Sequence, residues 1–284
     1  MHAVIRQPRV QRLASLSLNR MVPNVLTLLA LCAGMTAMRF AMGGNFVGAV
    51  FAIIVAGIFD GLDGRVARLL QSTSSFGAEL DSLSDFVSFG VAPAAMLYLW
   101  TMSKLYGVGW AIVLFYAVCC ALRLARFNIE VGSARAAHTA PFFTGVPAPA
   151  GAGLVMVPMF LSFEWGDWLF RSPYLNAVTV TGTALLMISK VPTVSLKRIR
   201  VPHDWVIPTL LGIGILAAFV TTMPWLTLTA IGVVYVGSIP FTVRSYYRLR
   251  RSAEAAPSPP EAAAPPAPGA GPDHDVPPAE HRRS

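Results

Sequence analysis

Apolar residues occupy this chain in long blocks, and polar residues gather in the short breaks between them. The blocks lie near residues 22–42, 45–63, 82–102, 107–127, 147–164, 174–190, 205–222 and 224–244. Each approaches the ~20 residues that a helix needs to cross a ~30 Å hydrocarbon layer. Gly43-Gly44 and Thr222-Met223-Pro224 read as tight turns between antiparallel helices. The pattern predicts an all-α integral membrane protein, a bundle of about eight transmembrane helices over residues 21–245. Residues 1–20 carry Arg6, Arg9, Arg12 and Arg20 with no acid, and suit either a short interfacial helix or a frayed basic terminus. Residues 252–284 hold 9 Pro and 9 Ala and no apolar periodicity, so a disordered tail is expected.

Composition agrees with this pattern and narrows the function classes. Of 284 residues 55% are hydrophobic and 13% charged, and mean hydropathy is +0.58. Soluble domains carry roughly 25% charged residues, which argues against a soluble enzyme. The net charge of +8 comes in clusters between apolar runs rather than as a patch, so no nucleic acid is expected. Both termini placed in the cytoplasm put 17 of the 22 basic residues on that side, against Arg39, Lys104 and Arg171 on the other and Arg282 and Arg283 in the tail. Cys32, Cys119 and Cys120 lie in apolar runs without CxxC spacing, so neither a disulfide framework nor a zinc site is expected. Leu31 before Cys32 speaks against a lipoprotein cleavage site, and His138 and His203 read as solvated loop residues. The basic loop 190–200 reads as a topology signal or an anionic-lipid contact.

Candidate chemistry concentrates in one hairpin. Asp60 and Asp63 are spaced i,i+3, Asp81 and Asp85 i,i+4, so each pair projects from one helix face. Arg65 and Arg68 between them place the mouth of the hairpin, and hence the active site, on the cytoplasmic side. Four carboxylates at one mouth repel one another unless cations intervene. Two hard divalent cations, Mg²⁺ or Mn²⁺, carry +4, take oxygen ligands and suit phosphoryl chemistry. Gly64, Ala67 and Gly77 leave room for a nucleotide, and the planar fork of Arg68 suits a phosphate. A divalent-cation transporter is the rival from another class; it calls for acids near the midplane of several helices. Here the acids sit at one edge, with Glu164 and Asp167 on the opposite side.

Residues 60–85 fit the pattern D-x2-D-G-x2-A-R-x8-G-x3-D-x3-D at every fixed position, and so resemble the CDP-alcohol phosphatidyltransferases. Four further segments resemble the branch that uses serine as acceptor: Val22–Thr27, Ser88–Pro93, Arg123–Asn128 and Phe142–Pro147. The last has Val146 where leucine is expected. The resemblance covers roughly residues 20–240. It implies a homodimer in a membrane, in a bacterium the inner one, that transfers a phosphatidyl group from CDP-diacylglycerol to L-serine, giving phosphatidylserine and CMP. Glycerol 3-phosphate and inositol phosphate are the alternative acceptors within the family. The carry-over makes Asp60, Asp63, Asp81 and Asp85 metal ligands, with Asp85 also the general base. It assigns Asp60, Gly64, Ala67, Arg68 and Gly77 to the CDP moiety. Ser88, Arg123, Arg126 and Asn128 are the acceptor candidates, an arginine being suited to the serine carboxylate.

Overall fold

A computed structural model describes residues 18–72, 74–132, 142–189, 192–194 and 206–254. The basic segment before Leu18, His138, His203, the basic loop apart from its residues 192–194, and the tail beyond Glu254 lie outside the described residues. The chain divides into two compact units, Met1–Tyr246, which holds every apolar span, and Tyr247–Ser284, whose described residues are helical.

Helices α1 (Leu18–Met42) and α2 (Phe46–Leu69) form the first hairpin. Gly44 turns it at φ +76°, where a side chain would be strained, and Asn45 caps α2 by accepting the Gly48 N–H at 2.9 Å. Ser74 starts α3 (Ser75–Asp85) by accepting the Gly77 N–H at 3.0 Å. The rod then passes through a wide π turn, Phe86–Val91, into α4 (Ala92–Trp100). Pro93 has no N–H to offer the Phe89 carbonyl four residues back. Tyr116 of α5 (Tyr106–Gly132) donates its hydroxyl to that carbonyl instead, at 2.8 Å.

The block near 147–164 folds as two half-helices, α6 (Ala148–Val155) and α7 (Val157–Trp165), because Pro158 interrupts the ladder near Met156. A single turn, α8 (Asp167–Phe170), leads to α9 (Pro173–Ile188); α10 (Val206–Thr222) and α11 (Pro224–Glu254) follow. The described residues of all eight apolar blocks are therefore mainly helical. Among the described residues six helices are long and apolar enough to span a membrane, among them the joined rod Ser75–Trp100, while Pro173–Ile188 and Ile207–Thr222 are apolar but shorter. One element was not expected: β1 (Phe142–Thr144) pairs antiparallel with β2 (Pro192–Val194). Three residues a side are too few to show an alternating pattern.

Small residues let the rods close on one another. Ala37, Ala49, Ala56, Ala92, Ala148 and Ala184 are all fully buried. With lipid outside, packing rather than hydrophobic transfer drives such association, and small side chains permit it. Gly34 is the extreme case: a Cβ there would stand 2.5 Å from Ser88 Oγ. Large apolar side chains such as Leu28, Met35, Val118 and Phe219 face outward, as lipid-exposed surfaces require.

Polar groups gather at the two ends of this apolar layer. Asp81 and Trp100 share one rod and stand roughly 28 Å apart at 1.5 Å per residue. At the Trp100 end, Arg171 binds Asp167 at 2.8 Å and donates to the Trp100 carbonyl at 3.4 Å. Thr101 donates to the Arg171 carbonyl at 2.8 Å, and Ser162 donates to Asp167. The other end carries the four acids.

Candidate active site

The i,i+3 and i,i+4 spacings do what helical geometry requires, aiming both acid pairs into the space between α2 and α3. One carboxylate oxygen each from Asp60, Asp63 and Asp81 lies within 4.8 Å of the others. Asp85 sits against Asp60 within hydrogen-bonding reach. Arg123 of α5 answers two of the acids, its charge acting on both Asp60 and Asp85. One guanidinium cannot balance four carboxylates. An all-oxygen, strongly anionic donor set of this kind fits hard divalent cations.

Beside the acids lies a cleft of about 170 Å³. Gly64, Ala67 and Gly77 line it, together with Asp63 and Asp81. No atom lies within 4 Å of where a Gly64 Cβ would stand, so the glycine opens the cleft. At Gly77 a Cβ would come within 3.0 Å of Asn24 Oδ1 and 3.1 Å of Ser74 Oγ. Arg68 is exposed and is not among the lining side chains.

Several lining or supporting residues were given no role by the sequence reading, although Asn24 and Thr27 lie in the resemblance segment Val22–Thr27. Asn24 and Thr27 come from α1, Ser72 and Ser74 from the turn before α3. Thr27 Oγ1 lies 2.6 Å from Asp63 Oδ2, and Ser84 donates to the Thr27 carbonyl at 3.0 Å. The available signal was a polar pair, Asn24 and Thr27, inside an otherwise apolar run.

The four acceptor candidates separate sharply. Ser88 is fully buried, donates to the Ala30 carbonyl at 3.1 Å and abuts Gly34, so it joins helices and leaves no room for a ligand. Asn128 donates to Ser82 Oγ at 2.9 Å, which ties α5 to α3, and the Ser82 proton has two acceptors, the Ala78 carbonyl at 3.0 Å and Asn128 Oδ1 at 3.2 Å. Arg126 donates to the carbonyls of Ile188 and Ser189 at the end of α9, at 3.2 and 3.4 Å. Such C-terminal carbonyls have no intrahelical donor, so a cation there acts as a cap. Arg123 differs: its Nε is buried without a hydrogen-bond partner, and its charge acts on Asp85.

Comparison with known proteins fits this geometry. The family model for CDP-alcohol phosphatidyltransferase matches residues 20–188, and that for CDP-alcohol phosphatidyltransferase 2 matches residues 204–240. A CDP-diacylglycerol–serine O-phosphatidyltransferase of Mycobacterium bovis is 40% identical over 252 residues, 88% of this chain and 87% of the relative. The protein of that name from Helicobacter pylori is 34% identical, over 63% of this chain and 73% of its own length. The one from Bacillus subtilis is 34% identical, over 62% of this chain and 92% of its own. Enzymes of this family are metal-dependent, in keeping with the acid cluster. With six spanning helices and the family motif folded around one cluster of acids, the chain is an integral membrane enzyme that belongs to the CDP-alcohol phosphatidyltransferase family.

Proposed function

We propose that this enzyme transfers the phosphatidyl group of CDP-diacylglycerol to L-serine, releasing CMP and leaving phosphatidylserine in the membrane. The observation that carries this reading is Arg123, whose Nε is buried without a hydrogen-bond partner and whose charge acts on Asp85 and Asp60 at the acid cluster. A serine acceptor brings a hydroxyl that needs a base and a carboxylate that needs a cation, and these two neighbours answer both needs. The curated relatives named above carry serine in their names, which supports the same acceptor.

Asp60, Asp63, Asp81 and Asp85 would hold two divalent cations, Mg²⁺ or Mn²⁺, which would draw charge from the phosphoryl oxygens. The protein's own part is orientation and proton transfer. The cleft floored by Gly64, Ala67 and Gly77 receives the cytidine nucleotide, and Arg68 reaches it from the rim when substrate is present. Asp85 accepts the proton of the serine hydroxyl as its oxygen bonds to the phosphatidyl phosphorus. The bond from that phosphorus to CMP breaks, and CMP leaves with the electron pair. Arg123 holds the serine carboxylate by paired N–H groups. Arg126, Asn128 and Ser88, committed to protein partners, support the fold around it. The distribution of basic residues supports a cytoplasmic site with both termini inside, and the family resemblance supports a homodimer, in a bacterium in the inner membrane.

The test uses purified enzyme in mixed micelles of CDP-diacylglycerol with labelled serine, ethanolamine, glycerol 3-phosphate or inositol phosphate. CMP release with serine alone, abolished by chelator and restored by Mg²⁺ or Mn²⁺, is the expected result. Equal use of ethanolamine removes the carboxylate reader, and preference for a phosphorylated polyol overturns the acceptor.

A further inference from the structure

Thr27 sits one turn after Pro23 in α1, is 4% exposed, and belongs to neither acid-bearing helix. It nevertheless touches both. Its hydroxyl has one proton and two nearby acceptors, Asp63 Oδ2 at 2.6 Å and the Pro23 carbonyl at 3.1 Å. The shorter contact, to a carboxylate, is the stronger of the two. The Thr27 carbonyl in turn accepts the hydroxyl of Ser84, itself 2% exposed, at 3.0 Å. Ser84 lies between Asp81 and Asp85 on α3. A single α1 residue thus fixes one oxygen of an α2 acid and the register of the α3 acids.

We propose that Thr27 is the positioning residue of the cation site, fixing the Asp63 carboxylate through Oδ2 in its place beside Asp60 and Asp81, and anchoring α3 through Ser84. The inference rests on the cation reading given above. Carboxylates that ligate metals are oriented by hydrogen bonds from neighbouring groups, and losing such a partner typically weakens metal binding ~10–100-fold. Thr27→Val keeps the branched shape and the backbone carbonyl but removes the donor. Thr27→Ser keeps the donor and loses only a methyl group. Because Thr27 also lines the cleft, its loss could instead act through the nucleotide, and the experiment separates the two.

Mn²⁺ is titrated into purified full-length protein without lipid substrate and followed by the loss of its free electron paramagnetic resonance signal. CMP affinity and thermal unfolding in chelator are measured alongside. The Thr27→Val protein is expected to bind Mn²⁺ at least ~10-fold more weakly than the wild type. Thr27→Ser should stay within about 3-fold of the wild type, and all three proteins should melt alike in chelator. Unchanged Mn²⁺ affinity in Thr27→Val overturns the proposal, as does a loss confined to CMP affinity. A fall in chelator melting temperature large enough to account for the loss makes Thr27 a packing residue and overturns it too. A wild type that binds no Mn²⁺ removes the cation reading itself.

Discussion

Replacing Tyr116 with phenylalanine probes the turn immediately after Asp85. The two side chains differ by one hydroxyl, so packing is kept while the 2.8 Å bond to the Phe89 carbonyl is lost. Tyr116 is fully buried and Phe89 is 2% exposed, so water cannot replace the lost donor. The residue four ahead is Pro93, so the ordinary α-helical N–H is missing from that carbonyl too. Leaving a buried acceptor unpaired costs about 1–3 kcal/mol in soluble proteins. Hydrogen bonds between membrane helices average only about 0.6 kcal/mol, with a maximum near 1.7, because the unfolded chain in lipid finds other partners. Here the proline removes the usual α-helical donor from the carbonyl. The expected loss is therefore at the upper end of the membrane range, about 1–2 kcal/mol. The assay is unfolding in mixed micelles by titration with sodium dodecyl sulfate, with Tyr174→Phe, at a 73% exposed site, as the control. A Tyr116→Phe protein as stable as the control would refute the idea that this hydroxyl completes the turn.

The helices and the acids were legible because both rest on periodicity. Apolar blocks near spanning length admit few other readings, and the spacings of Asp60/Asp63 and Asp81/Asp85 fix shared faces before any fold is known. What stayed hidden depends on contacts between helices distant in sequence. Thr27 meets Asp63 across 36 residues, and Ser84 meets Thr27 across 57. Arg123 and Arg126 share a helix and a side of the membrane, so sequence could not rank them; the carbonyls of Ile188 and Ser189 do. Ser88 looked available because serine is polar. Its partner, the Ala30 carbonyl, appears only when Gly34 lets α1 approach so closely. The split of 147–164 at Met156 was signalled by Pro158, but proline marks a break without giving its angle.

The two arginines of α5 are expected to respond differently. Arg123→Lys should raise the KM for serine several-fold more than that for CDP-diacylglycerol, since an ammonium loses the paired geometry. Arg126→Lys should leave the serine KM unchanged and lower the unfolding midpoint, because its carbonyl partners belong to α9; equal KM effects would undo the distinction. Asp85→Asn keeps the shape but cannot accept the serine proton, so kcat is expected to fall by about 10²–10⁴-fold with CMP binding retained. Lost Mn²⁺ affinity in that protein would make Asp85 chiefly a ligand. At the opposite end of the bundle the readout is pH. The Ser162 hydroxyl and then the Arg171 guanidinium hold the Asp167 carboxyl below the usual carboxylate range. A depressed folded value means that its stabilising contribution is complete above the ordinary value and lost as pH falls through the folded one. Asp167→Asn should therefore lower stability by a constant amount above roughly pH 5, and the gap from wild type should close on further acidification. Comparing the two proteins at each pH removes the protonation of other acids from the difference. Because the side chains of Arg171 and Asp167 are 39% and 55% exposed, the gap should also shrink in high salt. A gap that widened below pH 4 would mean that the latch favours the protonated acid, the reverse of what its two donors require.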